Sequence, residues 1–141
     1  MNTGGSVVSV SGTGGLPPWQ VRRIVRAVLA REGEAVDLSI TFLGLAAMRR
    51  LNHRFKGHDR PTDVLAFALP QPDGSRTGDV YVCPGVAVRE ARARGITRRE
   101  ELVRLIVHGV LHVAGHDHPE GTGREDSPMW RRQEALVAEL A

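Results

Sequence analysis

A chain of 141 residues with 41% hydrophobic side chains is long enough for one globular domain with its own core. Its single cysteine, Cys83, excludes an internal disulfide and a cysteine-rich metal site. No apolar run approaches the length of a membrane span, and the N-terminus lacks the basic and apolar regions of a signal peptide. We therefore expect a cytoplasmic protein with no membrane partner.

The formal net charge of +3 is unevenly distributed. Residues 1–60 hold nine basic and four acidic side chains, a balance of +5, whereas residues 61–118 balance at zero and residues 119–141 at −2. All the basic residues except Lys56 are arginines. A basic half is compatible with an anionic partner such as nucleic acid, and a solvated helix surface gives the same pattern.

The spacing of apolar residues and the positions of Gly and Pro predict an alternation of helices and strands. In chain order they predict a short edge strand over residues 6–10, a helix over 18–33, a strand over 36–42, a helix over 45–55, strands over 64–69 and 79–83, and helices over 84–94, 98–114 and from 128 onward. The run 64–69 is apolar enough for an interior strand, antiparallel to the strand after it. In the second helix, Met48, Leu51 and Phe55 should face inward.

This order predicts a single compact α/β (α+β) domain over residues 1–141, with residues 1–15 forming a partly flexible N-terminus. A small mixed β-sheet should be packed by helices. The helix that begins after the capping-box sequence at Thr97 and runs to Ala114 is the most apolar, so it should be the central buried one.

Four of the six histidines fall between His108 and His118. His108 and His112 are four residues apart, so a helix places both imidazoles on one face. Gly115 should end that helix in a left-handed conformation, after which the chain turns and His118 can return toward the other two. Three converging imidazoles make a site for one Zn²⁺ per chain on the central helix and its exit turn, with a fourth position open for water.

Several alternatives remain at these positions. His116 could bind the metal in place of His118, and the histidines could instead form a hydrogen-bonded cluster without metal. Asp117 could orient an imidazole or simply cap the turn. Gly109, inside the helix, could mark a close approach of another backbone or of substrate, or could merely be tolerated.

A zinc ion held by neutral imidazoles lowers the pKa of bound water to about 7, which favours hydrolysis. A zinc protease of the HExxH type needs a glutamate where this chain has Gly109, so peptide hydrolysis is disfavoured. A phosphodiester substrate depends more on charge stabilisation, which zinc and nearby cations supply.

The window 108–118 resembles the signature of the YbeY family, the bacterial metal-dependent endoribonucleases of ribosomal RNA maturation. The residues that carry the resemblance are His108, Gly109, Leu111, His112, Gly115, Asp117 and His118. Upstream segments agree in order and spacing, namely Leu51 to Phe67, with its Pro-Thr-Asp-Val-Leu sequence, and Gly78 to Val82. The resemblance extends from about Leu16 to the C-terminus.

The resemblance implies zinc bound by His108, His112 and His118, and a single-strand-specific endoribonuclease acting in 16S rRNA 3′-end maturation and ribosome quality control. Its partners would be ribosomal RNA and the small ribosomal subunit or its assembly factors. Lys56 stands where the family usually has an RNA-contacting arginine; it would be catalytic, with Arg54 or Arg60 neutralising phosphate. Ala66 and His116 stand where the family frequently has serine and tyrosine.

Two rival functions follow from the same residues. One is a non-catalytic ribosome-assembly factor with a structural zinc, for which His116 would serve as a fourth ligand. The other is a zinc peptidase or other hydrolase, disfavoured by Gly109. The sequence leaves the oligomeric state open.

Overall fold

The computed structural model describes residues 6–117 and 123–141. In chain order the elements are β1 (Val8–Ser11), α1 (Pro18–Glu32), β2 (Val36–Phe42), α2 (Leu45–Lys56), β3 (Val64–Pro70), β4 (Arg76–Val82), α3 (Pro84–Arg94), α4 (Arg98–Val113), a 3-10 turn (Arg124–Asp126) and α5 (Pro128–Leu140). The predicted α/β fold with a small mixed sheet is confirmed. None of the described helices is both long and apolar enough to cross a bilayer.

The four strands form one sheet in the order β1-β2-β4-β3. β1, β2 and β4 are parallel, and β3 runs antiparallel to β4, as expected from the sequence. The expectation of an interior strand at 64–69 is wrong, because β3 lies at the edge of the sheet. Its apolar run has another cause: Val64 and Ala66 pack into the main core, while Leu65 and Phe67 contribute to a cluster on the opposite face.

Local signals set the helix ends. α1, α2 and α3 each end at a glycine in the left-handed conformation, at Gly33, Gly57 and Gly95. α4 begins where the Thr97 hydroxyl accepts a hydrogen bond from the Glu100 backbone N–H at 3.0 Å. These are the ends that the sequence predicts.

The main core lies on one face of the sheet, where α1, α3 and α5 surround α4. Nearly all of α4 is buried, so the prediction of a central buried helix is confirmed. The opposite face is covered by α2 over a small second cluster of Met48, Leu65 and Cys83. Phe55, expected to face inward, is 52% exposed at the end of α2.

Candidate metal and RNA site

α4 carries a polar stripe although it is buried on nearly every side. Glu101, Arg104, His108 and His112 are three or four residues apart, so they lie along one side of the helix. Glu101 and Arg104 are buried and bonded to each other at 3.2 Å, whereas the two histidines are partly exposed. The structure therefore places the predicted imidazoles one turn apart at the accessible end of this polar stripe.

The first residue of the polar stripe, Glu101, has a carboxyl group with a raised pKa. Burial raises the pKa of the Glu101 carboxyl against the influence of Arg94 and Arg104, and the Asp63 carboxylate just before β3 adds to the rise. α4 packs along β3 as well as against β4, so these two strands border the helix that carries the histidines.

Two glycines bring α4 against β4. A Cβ atom at Gly109 would lie 2.4 Å from Val80 Cγ1, and one at Gly78 in β4 would lie 2.4 Å from Val113 Cγ1. Gly109 therefore marks a close approach, to a strand side chain rather than to a backbone or a substrate. A side chain at position 109 would point at the sheet, so this position does not offer a catalytic carboxylate as the HExxH motif does.

His108 is held by α5. Its Nδ1 lies 2.8 Å from Gln133 Oε1, and the Gln133 side chain is buried at 1% exposure. Gln133 Nε2 in turn donates to Glu134 Oε2 at 3.0 Å, and Glu134 receives two hydrogen bonds from Arg104, at 2.8 and 2.9 Å. A hydrogen-bonded network therefore links the first imidazole to the buried arginine of the polar stripe.

The exit turn of α4 is anchored as well. Gly115, at φ 108°, donates to the His112 carbonyl, and the His116 backbone N–H donates to the Leu111 carbonyl, the two bonds of a Schellman motif. The predicted glycine stop is thus confirmed. Arg76 Nη1 donates to the Ala114 carbonyl oxygen at 2.6 Å, which ties this turn to β4.

The His116 side chain belongs to a different cluster. Its Nε2 lies 2.5 Å from Glu32 Oε1 at the end of α1, and Arg132 Nε donates to the other oxygen of that carboxylate at 2.7 Å. Burial acts to raise the pKa of Glu32, but the bonds from His116 and Arg132 outweigh it and leave the pKa lowered. His116 Nε2 could bind a metal only after this contact had broken.

The remaining predicted ligands lie at the limit of the described chain. His118 falls outside the described residues, and Asp117 is exposed at their edge. Within residues 6–117 and 123–141, no three His, Cys, Asp or Glu side chains converge as a metal site. Two imidazoles one helical turn apart, one of them hydrogen-bonded to a buried amide, nevertheless have the donor chemistry that Zn²⁺ prefers.

Basic residues surround the end of α2. Lys56, Arg54 and Arg60 are all exposed, and residues 45–60 contain five Arg or Lys side chains against a single acid, Asp59. Arg49 makes a bidentate ion pair with that acid at 2.8 and 3.0 Å. We call Arg54, Phe55, Lys56 and Arg60 the basic–aromatic surface.

The Phe55 ring is the apolar part of this surface. The Arg54 guanidinium lies 5.3 Å from the Phe55 ring centroid, and the ring centroid of Phe67 in β3 lies 5.2 Å from that of Phe55. Neither the exposure of Phe55 nor the contact of Gln133 with His108 was predicted from the sequence. The available signal for Gln133 was its position as a glutamine on the apolar side of the last helix, beside Leu136 and Val137.

Comparisons with known proteins point to one family. Residues 18–141 match the model of the family described as endoribonuclease YbeY. An endoribonuclease YbeY of Moorella thermoacetica is 38% identical over 131 residues, covering 84% of this chain and 83% of the relative. One from Bordetella pertussis is 42% identical over 111 residues, covering 73% of this chain and 71% of the relative.

A solved structure shares the fold. The solution structure of a Thermotoga maritima protein superposes with a TM-score of 0.69 at 30% sequence identity, covering 95% of this chain and 89% of the other. The match of a family model to most of the chain, together with these relatives, establishes the relationship. The chain belongs to the YbeY family of endoribonucleases.

Proposed function

We propose that this protein is a zinc-dependent, single-strand-specific endoribonuclease that acts in the cytoplasm on 16S rRNA, in maturation of its 3′ end and in ribosome quality control. Its partners would be ribosomal RNA and the small ribosomal subunit or its assembly factors. The observation that carries the proposal is the pair His108 and His112, which are partly exposed on an otherwise buried helix, with His108 hydrogen-bonded to Gln133 of α5.

His108, His112 and His118 would hold one Zn²⁺. When bound, zinc supplies Lewis acidity and lowers the pKa of a water molecule, so that a hydroxide is present at neutral pH. The protein would bind the phosphodiester, align it and screen its charge. We assign screening to Lys56, with Arg54 and Arg60 gripping neighbouring phosphates.

The basic–aromatic surface suits an unpaired strand. Exposed Phe55 offers a ring on which a base can stack, and its cationic neighbours attract the backbone. Phe55 contacts Phe67 of the edge strand β3, and α4, which carries the two histidines, packs along the same strand. A flexible single strand crossing β3 would therefore pass from the basic–aromatic surface to α4, which a rigid duplex does less easily.

The rival functions are less well supported. A structural zinc requires four protein ligands, and the Nε2 atom of the proposed fourth ligand, His116, is already engaged by Glu32. A peptidase of the HExxH type needs a carboxylate at position 109, which faces Val80 in the packed core.

The test is cleavage of a precursor 16S rRNA 3′ fragment by purified, zinc-loaded protein, with a fully duplexed version as the second substrate. We expect cleavage of the single-stranded fragment only, and its loss in His112→Ala. His58→Ala removes an exposed histidine from the loop after α2 and is the matched control at saturating RNA. Cleavage by His112→Ala at the wild-type rate would refute the proposed site.

A further inference from the structure

Gln133 of α5 is a buried amide that contacts a proposed metal ligand. Its side chain is 1% exposed, and its Oε1 lies 2.8 Å from His108 Nδ1. Burying an amide in a core is costly unless both its oxygen and its nitrogen are hydrogen-bonded. The direction of the Gln133–His108 hydrogen bond therefore has to follow from the network around it.

The network sets which end of the amide faces His108. An ionised carboxylate accepts hydrogen bonds and cannot donate them, so Glu134 accepts from the Gln133 NH₂ group, at 3.0 Å. Burial acts to raise the pKa of Glu134, yet the hydrogen bonds from Arg104 and Gln133 prevail and lower it, so the carboxylate is ionised at neutral pH. A flipped amide would bring its carbonyl oxygen against this carboxylate.

With its NH₂ group on Glu134, Gln133 presents its carbonyl oxygen to the imidazole. A carbonyl oxygen only accepts, so His108 Nδ1 must carry the proton and donate. A neutral imidazole has one N–H, and the other nitrogen then bears the lone pair that binds metal. We propose that Gln133 is a positioning residue that holds His108 in the Nδ1–H tautomer, which leaves Nε2 as the metal-binding nitrogen.

This inference rests on the proposed metal site and adds the residue that prepares one ligand before the metal arrives. In other metal sites, removal of the group that orients a ligating histidine lowers metal affinity by about 10–100-fold. Arg104 and Glu134 would position His108 indirectly, because they fix the orientation of the Gln133 amide.

The first test uses the metal-free wild-type protein. At pH 8, the ¹⁵N chemical shifts and ring proton couplings of His108 distinguish the two tautomers, and loss of the signal in His108→Gln assigns it. We expect the Nδ1–H form to predominate. Predominance of the Nε2–H form would overturn the inference, whatever the enzyme does with RNA.

The second test measures zinc affinity by competition with a chromogenic chelator. Gln133→Met keeps the length of the side chain and removes the acceptor, and we expect affinity to fall about 10–100-fold. Gln20→Leu removes a glutamine amide that lies near Arg99 at the other end of α4, and should bind zinc like the wild type. A change of less than about threefold in Gln133→Met, with native circular dichroism, would overturn the inference.

The outcomes separate this inference from the proposed activity. If Gln133→Met does not fold, the tautomer of the wild-type protein still decides. If tautomer and affinity behave as expected but single-stranded RNA is not cleaved, the nuclease proposal fails and the role of Gln133 stands. If RNA is cleaved in a zinc-dependent manner while His108 is Nε2-protonated, the nuclease proposal stands and the role of Gln133 fails.

Discussion

Replacing Gly109 by alanine tests the contact that seats α4 on the sheet. In an exposed helix interior, this change would stabilise the protein by about 1 kcal/mol, because glycine is the poorer helix former. Here the new Cβ would lie 2.4 Å from Val80 Cγ1 and 3.0 Å from Cγ2. Propensity and packing therefore oppose each other, and the distances show which prevails.

The Val80 side chain cannot easily move away. It is fully buried, its strand is paired on both sides, and its Cβ lies 3.3 Å from the added atom, so a new rotamer leaves one close contact in place. Overpacking of this kind costs about 1–3 kcal/mol. After subtraction of the propensity gain, we expect a net loss of about 1 kcal/mol and a Tm lower by roughly 3 °C.

Urea unfolding followed by circular dichroism measures the change in unfolding free energy. An m-value equal to that of the wild type shows that the substitution has altered stability alone. Gly85→Ala in α3 is the matched control: its Cβ would lie 3.1 Å from Leu45, which is 44% exposed and free to yield, so its stability should not fall. In a Val80→Ala background, Gly109→Ala should become stabilising. A gain of about 1 kcal/mol for Gly109→Ala in the wild-type background would refute the close approach.

The other predictions concern charge, RNA and the buried thiol. The folded-state pKa of Glu134 is lowered, so its contribution to stability is present above its unfolded pKa and is lost as the pH falls through the folded value. Glu134→Gln should therefore be less stable than wild type at pH 7, and the difference in unfolding free energy between the two proteins should disappear when urea titrations are run at acid pH. Phe55→Ala should weaken single-stranded RNA binding by roughly 5–100-fold at one stacked base without changing the salt slope, whereas Lys56→Ala should reduce that slope; equal slopes for both variants would contradict the assignment. Cys83 is fully buried beneath α2, so its reaction with a thiol reagent should be slow and should slow further when RNA binds; an RNA-independent rate would place the RNA elsewhere.

Local features of this fold were predictable from the sequence, and long-range pairing was not. Thr97 and the helix-ending glycines act within a few residues, and the four-residue spacing of His108 and His112 follows from helical geometry alone. The position of β3 at the sheet edge depends on which strands pair, and an apolar run whose side chains enter a cluster on each face of the sheet looks like an interior strand.

The same distinction applies to the candidate site. His108 meets Gln133 across 25 residues of sequence, and His116 meets Glu32 across 84, so no local pattern announces either contact. Phe55 follows the apolar period of α2, but the second cluster is too small to cover it at the helix end. His118 lies outside the described residues, and its ligand role stays a prediction.

The small cluster beneath α2 has a consequence for how the enzyme would hold its substrate. Met48, Leu65 and Cys83 anchor this helix, while the larger core lies on the other face of the sheet and does not depend on it. Transient detachment of α2 would therefore expose the small second cluster and leave the main core covered. RNA bound to the cationic end of α2 would stabilise the attached form of this helix by mass action. The amide protons of α2 should therefore exchange more slowly with solvent when RNA binds, while those of α4 should not change.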